Sequence, residues 1–140
     1  EMRLAEKQME RIPETIGSIP YIIIMDRGYP STPAFIHMMD KDLKFIVRLK
    51  SSDYKKEQSS LTENDQLVKI KLDKSRIRHY EGTPDGERMK ELGEISLRMV
   101  KILLENGNLE VFSYKSFTNG ISYRRNKRII SYEVGNRDCV

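Results

Sequence analysis

The sequence predicts an α/β fold, and three neighbouring segments of the 140-residue chain carry the prediction. A continuous β-branched run, "YIIIM" at 21–25, is typical of a strand covered on both faces. Thr32 followed by Pro33 indicates the N-cap and first turn of a short helix that reaches about Asp40. The apolar "KFIVRL" at 44–49 then predicts a second strand. A strand, a helix and a strand with short connections form a βαβ unit, which implies a parallel pair.

Three further strands are predicted after this unit, at 67–72, 95–104 and 109–112. The last two are joined by a turn that carries Asn106-Gly107, a pair typical of hairpins. The polar segments at 50–66 and 75–94 are predicted to be surface loops, the first of them mobile. The chain after the βαβ unit is therefore predicted to be rich in β-structure.

The N-terminal segment is predicted to form an amphipathic helix from about Met2 to Ile16, which Pro13 is expected to end early. It lacks the apolar core of a signal peptide. The longest apolar run, at 21–25, is far shorter than the roughly 20 residues that cross a bilayer. No membrane partner is therefore expected.

Amino-acid composition indicates the cellular compartment and the class of binding partner. One cysteine, Cys139, excludes a disulfide within the chain, and two histidines make a soft-ligand metal site unfavourable, so a reducing cytoplasm is expected. The net charge of +4 and the sequence pI of about 9.1 invite a nucleic-acid partner. The segment from Ser113 onward carries six basic and two acidic side chains, however, so residues 1–112 are neutral. The basic character rests on that tail alone.

Asp26 is the strongest candidate for a functional residue. It follows the first predicted strand, and α/β folds place reacting groups at the carboxyl ends of strands. A structural aspartate paired with Arg27 or Lys44 is the open alternative. Arg48 and Lys50 lie at the end of the next strand, where they are either phosphate contacts or solvated charges.

The stretch "IIIMDRGYPSTPAFIHMMDKDLKFIVRLKSS" at 22–52 resembles the insertion-sequence transposases of the DDE class. The group in question is marked by a Y…R…E…K signature. Its strand runs into D-R-G-Y-P-S, as at 26–31 here. After a helix its next strand reads close to F-V-x-R-x-K, and this sequence has F-x-V-R-L-K within "KFIVRLK" at 44–50. The likeness covers roughly residues 1–112.

This resemblance implies a ribonuclease H-like core with a β-rich insertion. Residues 1–51 would be a partial catalytic core, and 52–112 the insertion. In the family, three carboxylates hold two Mg²⁺ (or Mn²⁺) ions that cleave and join DNA at transposon ends. Asp26 matches the second of these acids, as a catalytic residue and metal ligand. Contacts with the DNA backbone are implied for Arg27, Arg48 and Lys50.

The resemblance also implies partners and a place in the cell. The partner is double-stranded DNA at transposon ends, and the full-length family member would act as a homodimer. The compartment is the bacterial cytoplasm, in association with the nucleoid.

Two departures from the family pattern stand out. The first acid is expected upstream of Glu1, and the third in a helix bearing Y-x2-R-x3-E-x6-K. The tail at 113–140 lacks that motif, because Glu133 directly follows Tyr132. Back-translation of the tail, read one base further on, permits Y-H-M-R-W-E-I-E, which fits Y-x2-R-x3-E. We therefore interpret 113–140 as a frameshifted, poorly structured tail.

These departures predict a transposase fragment that is inactive by itself. A non-catalytic DNA-binding remnant is the alternative from another class. An unrelated α/β domain in which Asp26 is structural is the third interpretation.

Overall fold

The structure is a computed structural model that describes residues 2–114, leaving aside the side chains of residues 2–6 and 13. Within that range the helices are α1 (Met2–Ile16), α2 (Thr32–Asp40), α3 (Lys55–Ser59), α4 (Lys74–Ile77) and α5 (Pro84–Leu92), and a 3₁₀ turn covers Arg78–Tyr80. The strands are β1 (Ile23–Met25), β2 (Phe45–Leu49), β3 (Asp65–Lys71), β4 (Glu94–Leu103) and β5 (Leu109–Tyr114). The tail was predicted to begin at Ser113; Ser113 and Tyr114 are buried in β5, and residues 115–140 lie outside the described residues.

The five strands form one mixed sheet in the order β1-β2-β5-β4-β3. β1 and β2 run parallel, with Ile23 opposite Phe45, while the other neighbouring strands are antiparallel. The α/β class and the parallel βαβ unit are thus confirmed. β5 pairs with both β2 and β4, so the strands of 1–51 and of 52–112 belong to a single sheet. β5 ends at Tyr114, two residues beyond its predicted end at Phe112.

The entry into α2 differs by one residue from the prediction. Ser31 is the N-cap, and its hydroxyl accepts a hydrogen bond from the Ala34 N–H at 3.2 Å. Thr32, the predicted cap, is buried and its hydroxyl is bonded to the Tyr54 hydroxyl at 3.1 Å. Ser31 and Thr32 can both cap a helix. Because the Thr32 hydroxyl is engaged with Tyr54, Ser31 caps α2.

The predicted early end of α1 is wrong, because the helix runs through residue 13 to Ile16. A proline removes one backbone donor, which packing of the apolar face can offset. Met9 is buried in the core and Ile12 packs against it.

Both polar segments that were predicted to be loops contain helices. The first holds α3, and Tyr54 just before it packs on Phe35 with ring centroids 5.8 Å apart. The second holds α4 and α5, and α5 begins at the N-cap Thr83, whose hydroxyl accepts from the Gly86 N–H at 3.2 Å. The prediction failed because these short polar helices bury too few side chains to produce a clear apolar period: α5 buries that of Met89, α4 that of Ile77, and α3 none.

The sheet buries one face beneath helices. Residues of α1, α2, α4 and α5 share one core with strand residues such as Phe45. The opposite face carries a second cluster drawn from strands, Ile46, Val100, Ile102, Phe112 and Tyr114, which includes no residue of a described helix. The expectation that β1 is covered on both faces is wrong, because Ile24 is 43% exposed. Among the strands between residues 2 and 114, β1 has a neighbour on one side only.

None of the helices between residues 2 and 114 combines the length and the apolar character that a membrane crossing needs.

We expect Gly86→Ala to lower the free energy of unfolding by about 2–3 kcal/mol, through overpacking. A Cβ at Gly86 would overlap the carbonyl oxygen of Tyr80 and lie 2.7 Å from its carbonyl carbon. Gly28→Ala is the matched control, because a Cβ there meets nothing within 4 Å. Its expected change is within about 0.5 kcal/mol. Urea denaturation of both variants measures the difference, and equal losses would contradict the clash.

Candidate functional site

Strand register brings three charged residues to one end of the sheet. Arg48 of β2 lies opposite Phe112 of β5, and Glu110 is two residues from Phe112 on the same face. Asp26 follows the last residue of the neighbouring parallel strand β1. The sequence predicted Asp26 and Arg48 at adjacent strand ends, and the structure brings them together.

Glu110 is the centre of the cluster. Its side chain is 7% exposed and accepts two hydrogen bonds from Arg48, from Nε to Oε2 at 2.8 Å and from Nη2 to Oε1 at 2.6 Å. Arg27 donates through Nη2 to the same Oε1. Two guanidinium groups therefore share one buried carboxylate, and this charge-assisted bonding fixes both side chains.

Asp26 lies at the solvent side of this cluster. Its Oδ1 is 3.9 Å from Nη1 of Arg48, and its side chain is 47% exposed. Its backbone carbonyl accepts from the Tyr29 N–H at 3.2 Å, which closes the turn after β1. Asp26 is thus ion-paired with Arg48, which was predicted to be either a phosphate contact or a solvated charge, and the Asp26 carboxylate stays within reach of a ligand.

Lys50 occupies a separate position, one residue past β2. It is exposed, and its backbone N–H donates to Oδ2 of Asp53 at 2.9 Å. Its backbone carbonyl accepts from Nε2 of Gln58 at 2.7 Å. Of the three residues predicted to contact DNA, Arg27 and Arg48 converge on one carboxylate, whereas Lys50 follows the end of β2 on a loop tied by these backbone bonds.

The cluster shifts two pKa values in the directions expected for a strong ion pair. Hydrogen bonding from Arg48 holds the pKa of Glu110 below its ordinary value, against the opposing effect of burial, and Arg27 adds to the lowering. The same bond raises the pKa of Arg48, with a smaller contribution from Asp26. Both groups therefore stay charged at neutral pH.

The residues that the structure describes do not by themselves form a metal centre. Between residues 2 and 114, no group of three His, Cys, Asp or Glu side chains is arranged to hold a metal ion. Both carboxylate oxygens of Glu110 are engaged by guanidinium groups, which leaves Asp26 as the accessible acid of the cluster. A two-metal site needs more carboxylates than this.

Sequence reasoning missed Glu110. The available signal was an acidic residue inside the apolar strand "LEVF", because a buried carboxylate requires partners. Its partners are 62 and 83 residues away in the sequence, and only the antiparallel pairing of β5 with β2 brings them close.

Comparisons of the chain with protein-family models, with curated proteins and with solved structures found no match.

The lowered pKa of Glu110 predicts an acid-sensitive stability. An acid whose pKa is lower in the folded than in the unfolded state stabilises the fold at every pH above its unfolded-state pKa. For Glu110 that pKa is the ordinary value, 4.5. This contribution is lost as the pH falls from about 4.5 through the folded-state pKa. We expect Glu110→Gln to flatten this part of the stability–pH curve, as measured by urea denaturation between pH 6 and pH 3. A curve of unchanged slope in the variant would contradict the assignment.

Proposed function

We propose that this chain is part of a DDE transposase, which acts on DNA at transposon ends by metal-dependent cleavage and strand transfer. One observation carries the proposal. The string D-R-G-Y-P-S starts at Asp26, directly after β1, and the R-L-K of the next motif ends the parallel strand β2. In the family that the sequence resembles, the second acid stands in this motif order, after an apolar strand that a helix and a further strand follow.

In this proposal Asp26 is the catalytic residue and metal ligand of the described part of the chain. Bound Mg²⁺ or Mn²⁺ would polarise the scissile phosphate and activate the attacking oxygen. Asp26 alone is too few ligands for that, since the family assigns its other two acids to positions before Glu1 and to a Y-x2-R-x3-E-x6-K helix. The part of the chain that the structure describes is therefore proposed not to cleave DNA by itself.

Arg27 and Arg48 would approach the DNA backbone at the same end of the sheet. Their guanidinium groups are already oriented by Glu110, which holds them as a rigid cationic pair. Lys50 would add a third contact from the end of β2. Double-stranded DNA is the proposed partner, a homodimer the proposed full-length assembly, and the bacterial nucleoid the proposed location.

The alternative is a DNA-binding remnant without catalysis. The convergence of Arg27 and Arg48 beside a single accessible acid favours it. Binding of terminal-repeat DNA that weakens with salt, without nicking in Mg²⁺, is the behaviour expected of the remnant.

The nucleotide sequence of the locus tests the proposal. We expect an Asp-bearing segment of the family upstream in the same frame, and Y-x2-R-x3-E in the next frame beyond Phe112. Stop codons throughout that next frame would overturn the frameshift and favour the DNA-binding alternative. If family segments are missing both upstream and downstream, the transposase proposal itself fails.

A further inference from the structure

A basic groove lies along the strand that is farthest in the sheet from Asp26. β3 is the outer strand at the opposite end from β1, and residues of α3, β3 and α4 line a cavity of about 580 Å³ beside it. We call this cavity the α3–β3 groove. Its charged lining consists of five cations and two acids: Lys55, Lys56, Lys69, Lys71, Arg76, Glu57 and Asp73. The lining therefore has a cationic excess.

Both acids of the groove are committed to internal contacts. Glu57 is ion-paired with Arg76, and its side chain is 12% exposed. The carboxylate of Asp73 caps α4 by accepting from the Arg76 N–H at 3.1 Å. Glu57 and Asp73 therefore contact Arg76 and the start of α4, and neither forms an ion pair with a groove lysine. Most of the lysine charge is left uncompensated.

Three of the four lysines have no ion-pair partner among residues 2–114. Lys69 pairs with Glu94 at 2.9 Å. Lys55 and Lys56 on α3, and Lys71 on β3, are exposed and make no such pair. Three ammonium groups around one groove repel each other unless an anion lies between them.

Arg76 is pre-oriented at the groove wall. Its guanidinium lies over the ring of Tyr54 at 5.3 Å from the centroid, and the Tyr54 ring packs on Phe35. Burial raises the pKa of Tyr54 to about 12, so the phenol stays neutral beneath the cation. A stacked guanidinium loses little further freedom when it binds an anion.

We propose that the α3–β3 groove binds the phosphate backbone of duplex DNA. Lysine and arginine side chains are the usual phosphate contacts, and the open, charged lining does not suit an apolar ligand. The proposal rests on the proposed function only in taking DNA as the partner, and it needs neither Asp26 nor a metal. Four strand spacings separate β1 from β3, about 19 Å. The groove therefore lies at the far side of the sheet from Asp26, as a contact separate from the Asp26 cluster.

A rival explanation is that the lysines protect an exposed sheet edge. Lysine on an outer strand hinders pairing with another chain. That role requires no ligand and predicts aggregation, without a change in DNA affinity, when the lysines are neutralised.

The test compares two triple variants of the full chain that carry the same net charge. The groove variant is Lys55→Gln, Lys56→Gln and Lys71→Gln, and the control is Lys7→Gln, Lys41→Gln and Lys90→Gln, whose lysines are exposed outside the groove. Binding to a labelled 25-base-pair duplex is measured by fluorescence anisotropy from 50 to 300 mM NaCl. Unchanged thermal midpoints verify folding.

We expect the groove variant to lose roughly tenfold or more in affinity at 100 mM salt. The slope of log K against log salt should become shallower by about 0.9 for each phosphate contact removed, and the control slope should change by less than one contact's worth. Equal slopes in the two variants would overturn the groove and leave the proposed function standing. Aggregation with unchanged affinity would assign the lysines to edge protection. Binding of polyglutamate that is tighter than that of DNA at equal charge, and that is lost in the groove variant, would indicate an acidic protein partner instead.

Discussion

Glu110→Gln is expected to lower the free energy of unfolding by about 2–3 kcal/mol, a large loss for a substitution that preserves shape. The variant removes the one negative charge that Arg27 and Arg48 share, and leaves two guanidinium groups facing a neutral amide. Removing one partner of a buried ion pair costs about 3–5 kcal/mol, and solvent reaches Arg27 enough to reduce this value. Urea denaturation at pH 7 measures the loss.

A second variant separates the charge network from general effects of replacing an acid. Glu63 is exposed and forms no ion pair with a residue of the described range, so Glu63→Gln should change stability by less than about 0.5 kcal/mol. The double variant Glu110→Gln with Arg48→Met should lose less free energy of unfolding than the sum of the two single losses. With methionine at position 48, no guanidinium there is left without its counter-charge. Strict additivity in this cycle would mean that Glu110 and Arg48 do not depend on each other.

The part of the fold that follows local rules was predictable. The parallel pair of β1 and β2 follows from two apolar runs separated by a capped helix, and the β4–β5 hairpin follows from alternation around Asn106-Gly107. The strand order was not predictable, because nothing local in the sequence states that β5 pairs with β2. That long-range pairing unites the two predicted segments in one sheet.

Only the part of the site that depends on neighbouring segments of the sequence was predictable. Asp26 and Arg48 lie at the ends of adjacent parallel strands, which the βαβ pattern already implies. Glu110 joins them through the β2–β5 register, and its burial follows from that pairing. The α3–β3 groove was missed for a related reason, since it requires α3 and α4 to be helices and the polar sequence indicated loops.

The second large effect concerns Asp26 and follows from the proposed function, which is tested in the full-length gene with its reading frame corrected through the proposed third acid. We expect Asp26→Asn to lower DNA strand cleavage at the transposon end by roughly a thousandfold, or about 4 kcal/mol of transition-state stabilisation. Asparagine keeps the shape of aspartate and lacks the charge that a divalent cation requires. Single-turnover cleavage of an end-labelled duplex taken from the flanks of the locus, in Mg²⁺ and in Mn²⁺, measures the effect.

Stability distinguishes this catalytic role from a structural one. The Asp26 side chain is about half exposed, and its contact with Arg48 is 3.9 Å long, so Asp26→Asn should change the free energy of unfolding by less than about 1 kcal/mol. Glu63→Gln again serves as the control and should leave cleavage unchanged. If Asp26→Asn unfolds the protein while Mg²⁺ binding and DNA binding per folded molecule are retained, Asp26 is a structural counter-ion of Arg48 and the transposase proposal loses its main support. A stable variant that has lost cleavage would instead support a catalytic role for Asp26. Arg48, itself held by Glu110, would then position the Asp26 carboxylate at the end of β1.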